Sequence, residues 1–273
     1  MGEFDRGVGK QLANQVDAAI REVARTIVLP MFQNLSSGDI RQKRPGDYVT
    51  TADLESERAL DAALRQLLPG STVVAEEAVS ADKAVLDRLE EDAPVWVIDP
   101  IDGTANYAAG RTPFAIMVGL VHRKVLQAGW IYLPVDDTMA SAVRGEGTLL
   151  NGAPQAIAPD TDIAAMHGIF HIPRQEGRRR ERALKLSALL RTHHRIRCVG
   201  ADYADLLTGR TQVALFNRMT PWDHAAGMLI FRESGGAAAK LDGSPYVPVM
   251  QEDPVLLAPT EAAWQTLRDR LEG

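Results

Sequence analysis

The sequence predicts an α/β protein built in layers, and three stretches carry that expectation. From 113 to 145 the pattern is "PFAIMVGLVHR", "KVLQAGWIYLP" and "TMASAVRG", three strand-like runs joined by short polar turns, which reads as a β-meander. The second half alternates instead. "MHGIFHI" reads as a strand, 174–191 as a basic helix, "RIRCVG" as a strand, 202–209 as a helix, "QVALFN" as a strand, and 221–234 as a helix ended by Gly235 and Gly236. Residues 8–29 carry apolar side chains at helical spacing (Val8, Leu12, Val16, Ala19, Ile20, Val23) and read as an amphipathic helix closed by Pro30. Helices interleaved with strands in this way pack as layers on sheets.

The remaining elements follow from local signals. Residues 41–47, "RQKRPGD", form a charged loop. A helix runs over about 53–68, stopped by Pro69 and Gly70. "STVVAEE" is a short strand ending on two glutamates, 81–91 a helix, and "PVWVID" a strand. The Arg-Gly-Glu-Gly-Thr and Leu-Asn-Gly turns after the meander suit hairpins, and short strands follow at 237–241 and 254–258. "QAIAPDTD" at 155–162 is the place for a join between two lobes of a single domain, about 1–155 and 156–273. The run Arg178, Arg179, Arg180 reads as a solvated helix face.

Composition narrows the function. The 273 residues, 45% hydrophobic and 24% charged, suffice for one large core. A net charge of −6 argues against nucleic acid as a partner, because that binding rests on neutralising phosphates with Lys and Arg. The single cysteine, Cys198, allows no intramolecular disulfide, suits a cytoplasmic setting and reads as a small buried apolar residue. The N-terminus has no apolar signal segment, Arg6 stands where a myristoylation site wants Ser or Thr, and no stretch approaches the roughly 18 consecutive apolar residues of a membrane span.

The chemistry lies in "VWVIDPIDGTANY". A buried strand ends on Asp99, Pro100 interrupts its regular pairing, and Asp102 follows three residues later, so one turn aims two carboxylates into one crevice. If a helix opens near Thr104, its free amides favour an anion there. Two unit charges about 4 Å apart repel by roughly 4 kcal/mol at an effective dielectric near 20. Such a crevice needs a cation, and oxygen-only ligands suit Mg²⁺ shared with a phosphate. Taken alone the motif is ordinary turn chemistry. Three further segments decide against that: Glu76 and Glu77 in "VVAEEAV", Asp53 in "DYVTTAD" and Asp223 in "TPWDHAAGMLIFRESGG". Acidic groups at strand ends and helix starts occupy the positions where α/β proteins place ligand sites.

These motifs, in this order and spanning about residues 10 to 260, resemble the inositol monophosphatase family of Mg²⁺-dependent, lithium-sensitive phosphatases. The resemblance implies an αβαβα sandwich, usually dimeric, acting on a small phosphorylated substrate. It implies that Glu76, Asp99, the Ile101 carbonyl, Asp102 and Asp223 hold two to three Mg²⁺ ions, with Asp99 bridging. It implies that Asp53 and Thr104 orient and deprotonate the attacking water. The Gly103 and Thr104 amides would hold phosphate oxygens, while Gly200, Ala201 and Asp202 fall in the substrate loop beside Asp102 and Asp223. Li⁺ would inhibit from the second metal position.

Some positions depart from the pattern. Ala75 replaces a glycine and Ser234 an alanine, both minor. Seven residues before Asp223, where inositol-phosphate-type members carry a glutamate that contacts substrate hydroxyls, stands Phe216, with Asn217 beside it. Asp202 either touches a substrate amine or hydroxyl or caps the helix that follows. Inositol 1-phosphate is the expected substrate. Histidinol phosphate, 3′-phosphoadenosine 5′-phosphate and fructose 1,6-bisphosphate suit the same metal core. A non-catalytic metal-binding relative and an RNA-associated regulator are the readings of other classes.

Overall fold

The computed structural model describes residues 8–194 and 196–273. The features read at residues 1–7, and Arg195 at the head of "RIRCVG", lie outside the described residues.

The chain opens with α1 (Lys10–Val23), which continues through a π-type turn at Ala24–Val28 into α2 (Leu29–Met31). Pro30 therefore rides in the last turn instead of closing the helix before it, the π-type turn being the place where the bonding ladder shifts. The expected charged loop is an antiparallel hairpin, β1 (Ile40–Arg44) and β2 (Asp47–Thr50), turning at Gly46 with φ +83°. α3 (Thr51–Leu67) starts two residues before the expected boundary. Thr50 is its N-cap, and Asp53 closes a capping box by accepting the Thr50 amide at 2.8 Å. β3 (Thr72–Ala75) stops short of the glutamates, since Glu76 begins α4 (Glu76–Ala81), and the expected helix at 81–91 is 3₁₀ structure over Lys83–Glu90.

β4 (Val95–Asp102) leads through Gly103 into α5 (Thr104–Ala108). The meander follows as β5 (Ala115–His122), β6 (Val125–Leu133) and β7 (Thr138–Val143), extended by the small hairpin strands β8 (Thr148–Leu150) and β9 (Ala153–Gln155). These strands form a seven-stranded sheet in the order β3-β4-β5-β6-β7-β8-β9, parallel only at β3-β4. The second half supplies β10 (His167–Phe170), α6 (Arg178–Leu189), β11 (Thr192–His194), α7 (Val199–Leu207), β12 (Val213–Phe216), α8 (Pro221–Glu233), β13 (Ala237–Lys240), β14 (Val255–Ala258) and α9 (Glu261–Glu272). Its five strands order as β11-β10-β12-β14-β13. The strand expected over "RIRCVG" is absent from 196–200: Cys198 is the N-cap of α7 and Val199 its first residue.

Three apolar cores stack these layers. Val95 and Val97 join the core shared with α7 and α8, while Trp96 and Ile98 join the core beneath α1 and α3. That alternation is what a period of two gives a strand buried on both faces. The third core packs α6 and α9 on the outer side of the five-stranded sheet. The layers thus run helix, sheet, helix, sheet, helix, an αβαβα sandwich. α8 lies against β5 and β6 through small residues. A Cβ built on Gly129 would meet Ala226 Cα at 2.8 Å, and one on Gly119 would meet Ala225 Cβ at 3.0 Å. That close approach sets the start of α8 against the strand ends of the first sheet. Among the described residues, no helix is long and apolar enough to cross a membrane.

Candidate active site

The site starts from an irregularity in β4. Asp99 pairs with Met117 and Asp102 with Ala115, so three steps on β4 match two on β5 and one residue bulges at Pro100 or Ile101. In a regular strand, residues three apart face opposite sides. The bulge resets the alternation, and Asp99 and Asp102 line one cavity of about 450 Å³ with Glu76, Ile101, Gly103, Thr104 and Asp223. The Asp99 carboxylate also accepts the Ile101 amide at 3.0 Å, which fixes the turn. Gly103 takes φ +85°, a backbone conformation that favours glycine, and a Cβ there would also crowd Pro113 O at 3.1 Å and Cys198 Cβ at 3.2 Å. Thr104 and Ala105 then open α5, where amides have no intrahelical partner.

Glu76 from the start of α4, Asp99 from β4 and Asp223 from the first turn of α8 each offer an oxygen, all within 4.8 Å of one another. Burial, then Glu76, Asp102 and Asp223, pushes Asp99 well above the usual carboxylate range. Burial, then Asp102 and Glu76, pushes Asp223 up to about 7. Asp102 is raised by burial too, though the Gly200 amide and the Cys198 thiol oppose it through bonds of 2.6 Å and 3.1 Å to Oδ2. These carboxylates resist ionising together, the signature of a place that takes a cation. Cys198 is buried, as its sequence context suggests.

Asp53 does not line this cavity but stands behind it. Its Oδ1 accepts the Thr104 hydroxyl at 3.2 Å, and that hydroxyl also lies 2.9 Å from Ile101 O. Burial raises Asp53 to about 7 against the opposing bonds from Thr50.

Two participants carried no sequence signal. Lys43 Nζ lies 2.9 Å from both Glu76 Oε1 and Glu77 Oε1. Burial pulls its pKa down, but Glu76 and Glu77 outweigh that and hold the ammonium charged. Glu57 accepts the Glu77 and Ala78 amides at 2.8 and 2.9 Å, pinning the first turn of α4, and burial pushes it up to about 7. Lys43 falls in a stretch that reads as loop. Glu57 is one acidic residue among several on α3, and only its spacing within the helix from Asp53, one turn on, could have pointed to it.

A second cavity of about 660 Å³ adjoins the first, sharing Arg197, Val199 and Asp223 with it. Asp202 and Phe216 line it, as does Asn217. Asp202 sits inside the first turn of α7, whose N-cap position is Cys198, so it does not hold the cap position. Gly200 and Ala201 line neither cavity. The Gly200 amide is committed to Asp102, and Ala201 is buried in the core between the sheets. The Arg178–Arg180 run, expected as a merely solvated face, lines the second cavity.

A layered α/β chain that gathers carboxylates around a bulged strand end, with a glycine-led turn of free amides beside them, has the construction of a phosphatase. Residues 10–271 match the inositol monophosphatase family, and the chain belongs to that family. A probable inositol 1-monophosphatase, ImpA of Mycobacterium tuberculosis, is 36% identical over 76% of this chain and 76% of its own length. A putative Nus factor, SuhB of Neisseria meningitidis serogroup B, is 30% identical over 77% of this chain and 80% of its own. The crystal structure of the extragenic suppressor protein SuhB from Bartonella henselae superposes with a TM-score of 0.81 at 23% identity, covering 96% of this chain and 99% of that one, and so shares the fold.

Proposed function

We propose that the chain hydrolyses a small phosphate ester with Mg²⁺ held at the acidic cluster, and that inositol 1-phosphate is the first substrate to try. The observation that carries this reading is the convergence of Glu76, Asp99 and Asp223 within 4.8 Å. The donors are all oxygens, and the Ile101 carbonyl and Asp102 share their cavity, a set that fits a hard cation. In this reading Glu76, Asp99, the Ile101 carbonyl, Asp102 and Asp223 would hold two to three ions between them. When bound, the ions neutralise phosphate charge and acidify water.

The chain's own residues do the rest. The Thr104 hydroxyl passes its proton to Asp53 as it accepts one from the attacking water, so one proton ends on a carboxylate whose pKa of about 7 suits the task. The Gly103 and Thr104 amides hold phosphate oxygens as negative charge builds on them. As the water oxygen bonds phosphorus the P–O bond to the alcohol breaks, the alcohol oxygen takes a proton from solvent water, and phosphate leaves without a covalent enzyme intermediate.

The test is phosphate release from inositol, amino-alcohol, nucleotide and sugar phosphates with Mg²⁺, with and without Li⁺. Release from at least one of them, lost in Asp223→Asn, supports the reading; no release from any of them sinks it. One relative's name, Nus factor, denotes another role. A function that survives Asp223→Asn would favour that kind of role over the enzyme.

A further inference from the structure

An ester whose phosphorus sits at the acidic cluster sends its leaving group past Arg197 and Val199 into the larger cavity, since those residues border both spaces. A volume of about 660 Å³ is that of a small-molecule site. Its wall is unlike the protein as a whole. The chain is acidic, with a net charge of −6, yet five arginines line this cavity against three carboxylates.

Two of the five have partners. Arg179 bonds Glu252 at 2.8 Å, and Arg180 bonds the Pro173 carbonyl at 2.7 Å with Glu176 at 3.4 Å. Arg178, Arg197 and Arg218 have no ion pair among the described residues. They come from three segments: the start of α6, the approach to α7 and the residue pair after β12. Arg197 holds φ +64°, a left-handed conformation uncommon for a bulky side chain. Of the carboxylates, Glu176 faces Arg180, Asp223 belongs to the cluster, and Asp202 is buried while the three arginines are exposed.

The lining also carries an aromatic group. The Phe216 ring packs at a tilt against Tyr203 and His224, with centroids at 5.4 and 4.8 Å. His224 is fixed between the Tyr203 hydroxyl and Arg218 O, both at 3.0 Å. The buried Oδ1 of Asn217 beside it has no hydrogen-bond partner among the described residues, and so offers an acceptor to a ligand N–H or O–H.

Resting on the phosphatase reading above, we propose that the preferred substrate is a phosphate ester whose leaving group carries an anionic group of its own, held by Arg178, Arg197 and Arg218, and lays an apolar or planar face on Phe216. A neutral polyol leaves the three arginines without a counter-charge. The shared chemistry is a second phosphate or carboxylate, which a nucleotide or a sugar could each supply.

Matched pairs test this. With Mg²⁺, kcat/KM is measured for adenosine 3′-phosphate against adenosine 3′,5′-bisphosphate, and for glucose 1-phosphate against glucose 1,6-bisphosphate. At least one anion-bearing member is expected to be preferred by about tenfold or more, chiefly in KM, the size of one charge-assisted contact. Preference in the adenosine pair alone assigns the planar face to Phe216; preference in both assigns the selection to the anion. The arginines are exposed, so Arg178→Ala with Arg218→Ala folds, and the ratio is expected to drop to about twofold. Equal kcat/KM within both pairs, or a ratio that survives the double substitution, overturns the proposal while leaving the phosphatase reading intact. Calorimetry without metal separates the two: adenosine 5′-phosphate is expected to bind at least about tenfold more tightly than adenosine, and the double variant to lose that difference. Equal binding overturns the proposal whatever the turnover assay shows.

Discussion

Asp102 Oδ2 accepts the Gly200 amide at 2.6 Å, joining the end of β4 to the first turn of α7 across 98 positions. The Cys198 thiol adds a bond of 3.1 Å to the same oxygen. One carboxylate oxygen is thereby spent on holding the second half of the chain against the first, while the same residue lines the cavity.

The two duties of Asp102 separate on substitution. Asp102→Asn keeps an acceptor for Gly200 and should cost about 1 kcal/mol or less, yet lower phosphate release by about a hundredfold or more. Asp102→Ala leaves a buried amide unpaired and should cost about 2–4 kcal/mol. Urea denaturation of both variants beside the activity assay checks the split.

Removing an ionisable group from the bare cluster should stabilise the metal-free protein. Asp99→Asn replaces a carboxyl that burial, and then Glu76, Asp102 and Asp223, hold back from ionising, and its melting temperature in chelator should rise by roughly 2–4 °C. The wild type should instead gain stability as Mg²⁺ is added, by mass action, and the variant should gain less. A calorimetric scan that shows no Mg²⁺ response in the wild type would contradict the metal assignment.

Acid groups raised in the fold bind more protons native than unfolded between their unfolded and folded pKa values. Asp53 and Glu57 stand at about 7 in the fold, above 3.8 and 4.5. Their contribution to the stability of the metal-free protein is then full at and below the unfolded values, falls as pH rises toward 7, and is flat beyond. A loss on the order of 1–3 kcal/mol per group is expected, measured by urea denaturation in chelator from pH 4.5 to 8, and Glu57→Gln should remove its share. Phosphate release should rise with pH as Asp53 gives up its proton, with a midpoint at or below about 7 once metal is present, and Asp53→Asn should erase that limb.

Lys43 competes with a cation for Glu76, because its ammonium already bonds that carboxylate at 2.9 Å. Lys43→Met should tighten Mg²⁺ binding by about three- to tenfold, while lowering metal-free stability because Glu76 and Glu77 lose their counter-charge. Isothermal titration and a thermal melt give the two opposite signs.

What the sequence revealed depended on whether a residue's neighbours in space were also its neighbours in the pattern. The meander over β5 to β7 was legible because strand-forming runs are broken by polar turns, and the acidic set because each member ends a strand or opens a helix. The β1-β2 hairpin was not: it is largely exposed and carries no apolar alternation, so it reads as loop and hides Lys43. "RIRCVG" fails the other way. Its alternating Ile196 and Cys198 look like a strand, yet Ile196 packs against the central core and Cys198 caps α7 against Asp102. The arginine run reads as solvated because only tertiary structure brings Arg197 and Arg218 across from it.

The two cavities are built from different parts of the chain. Glu76, Asp99, Asp102 and Thr104 lie within 76–104, whereas the wall around Phe216 comes from 169–224. Asp223 belongs to both, and Arg197 and Val199 mark the border. Heredity can therefore revise one without the other. Point changes near Phe216 would give a lineage a new diet while the bond-breaking apparatus passes down untouched, and a chimera that keeps the first part and exchanges the second, with Asp223 in place, would inherit its chemistry from one parent and its appetite from the other.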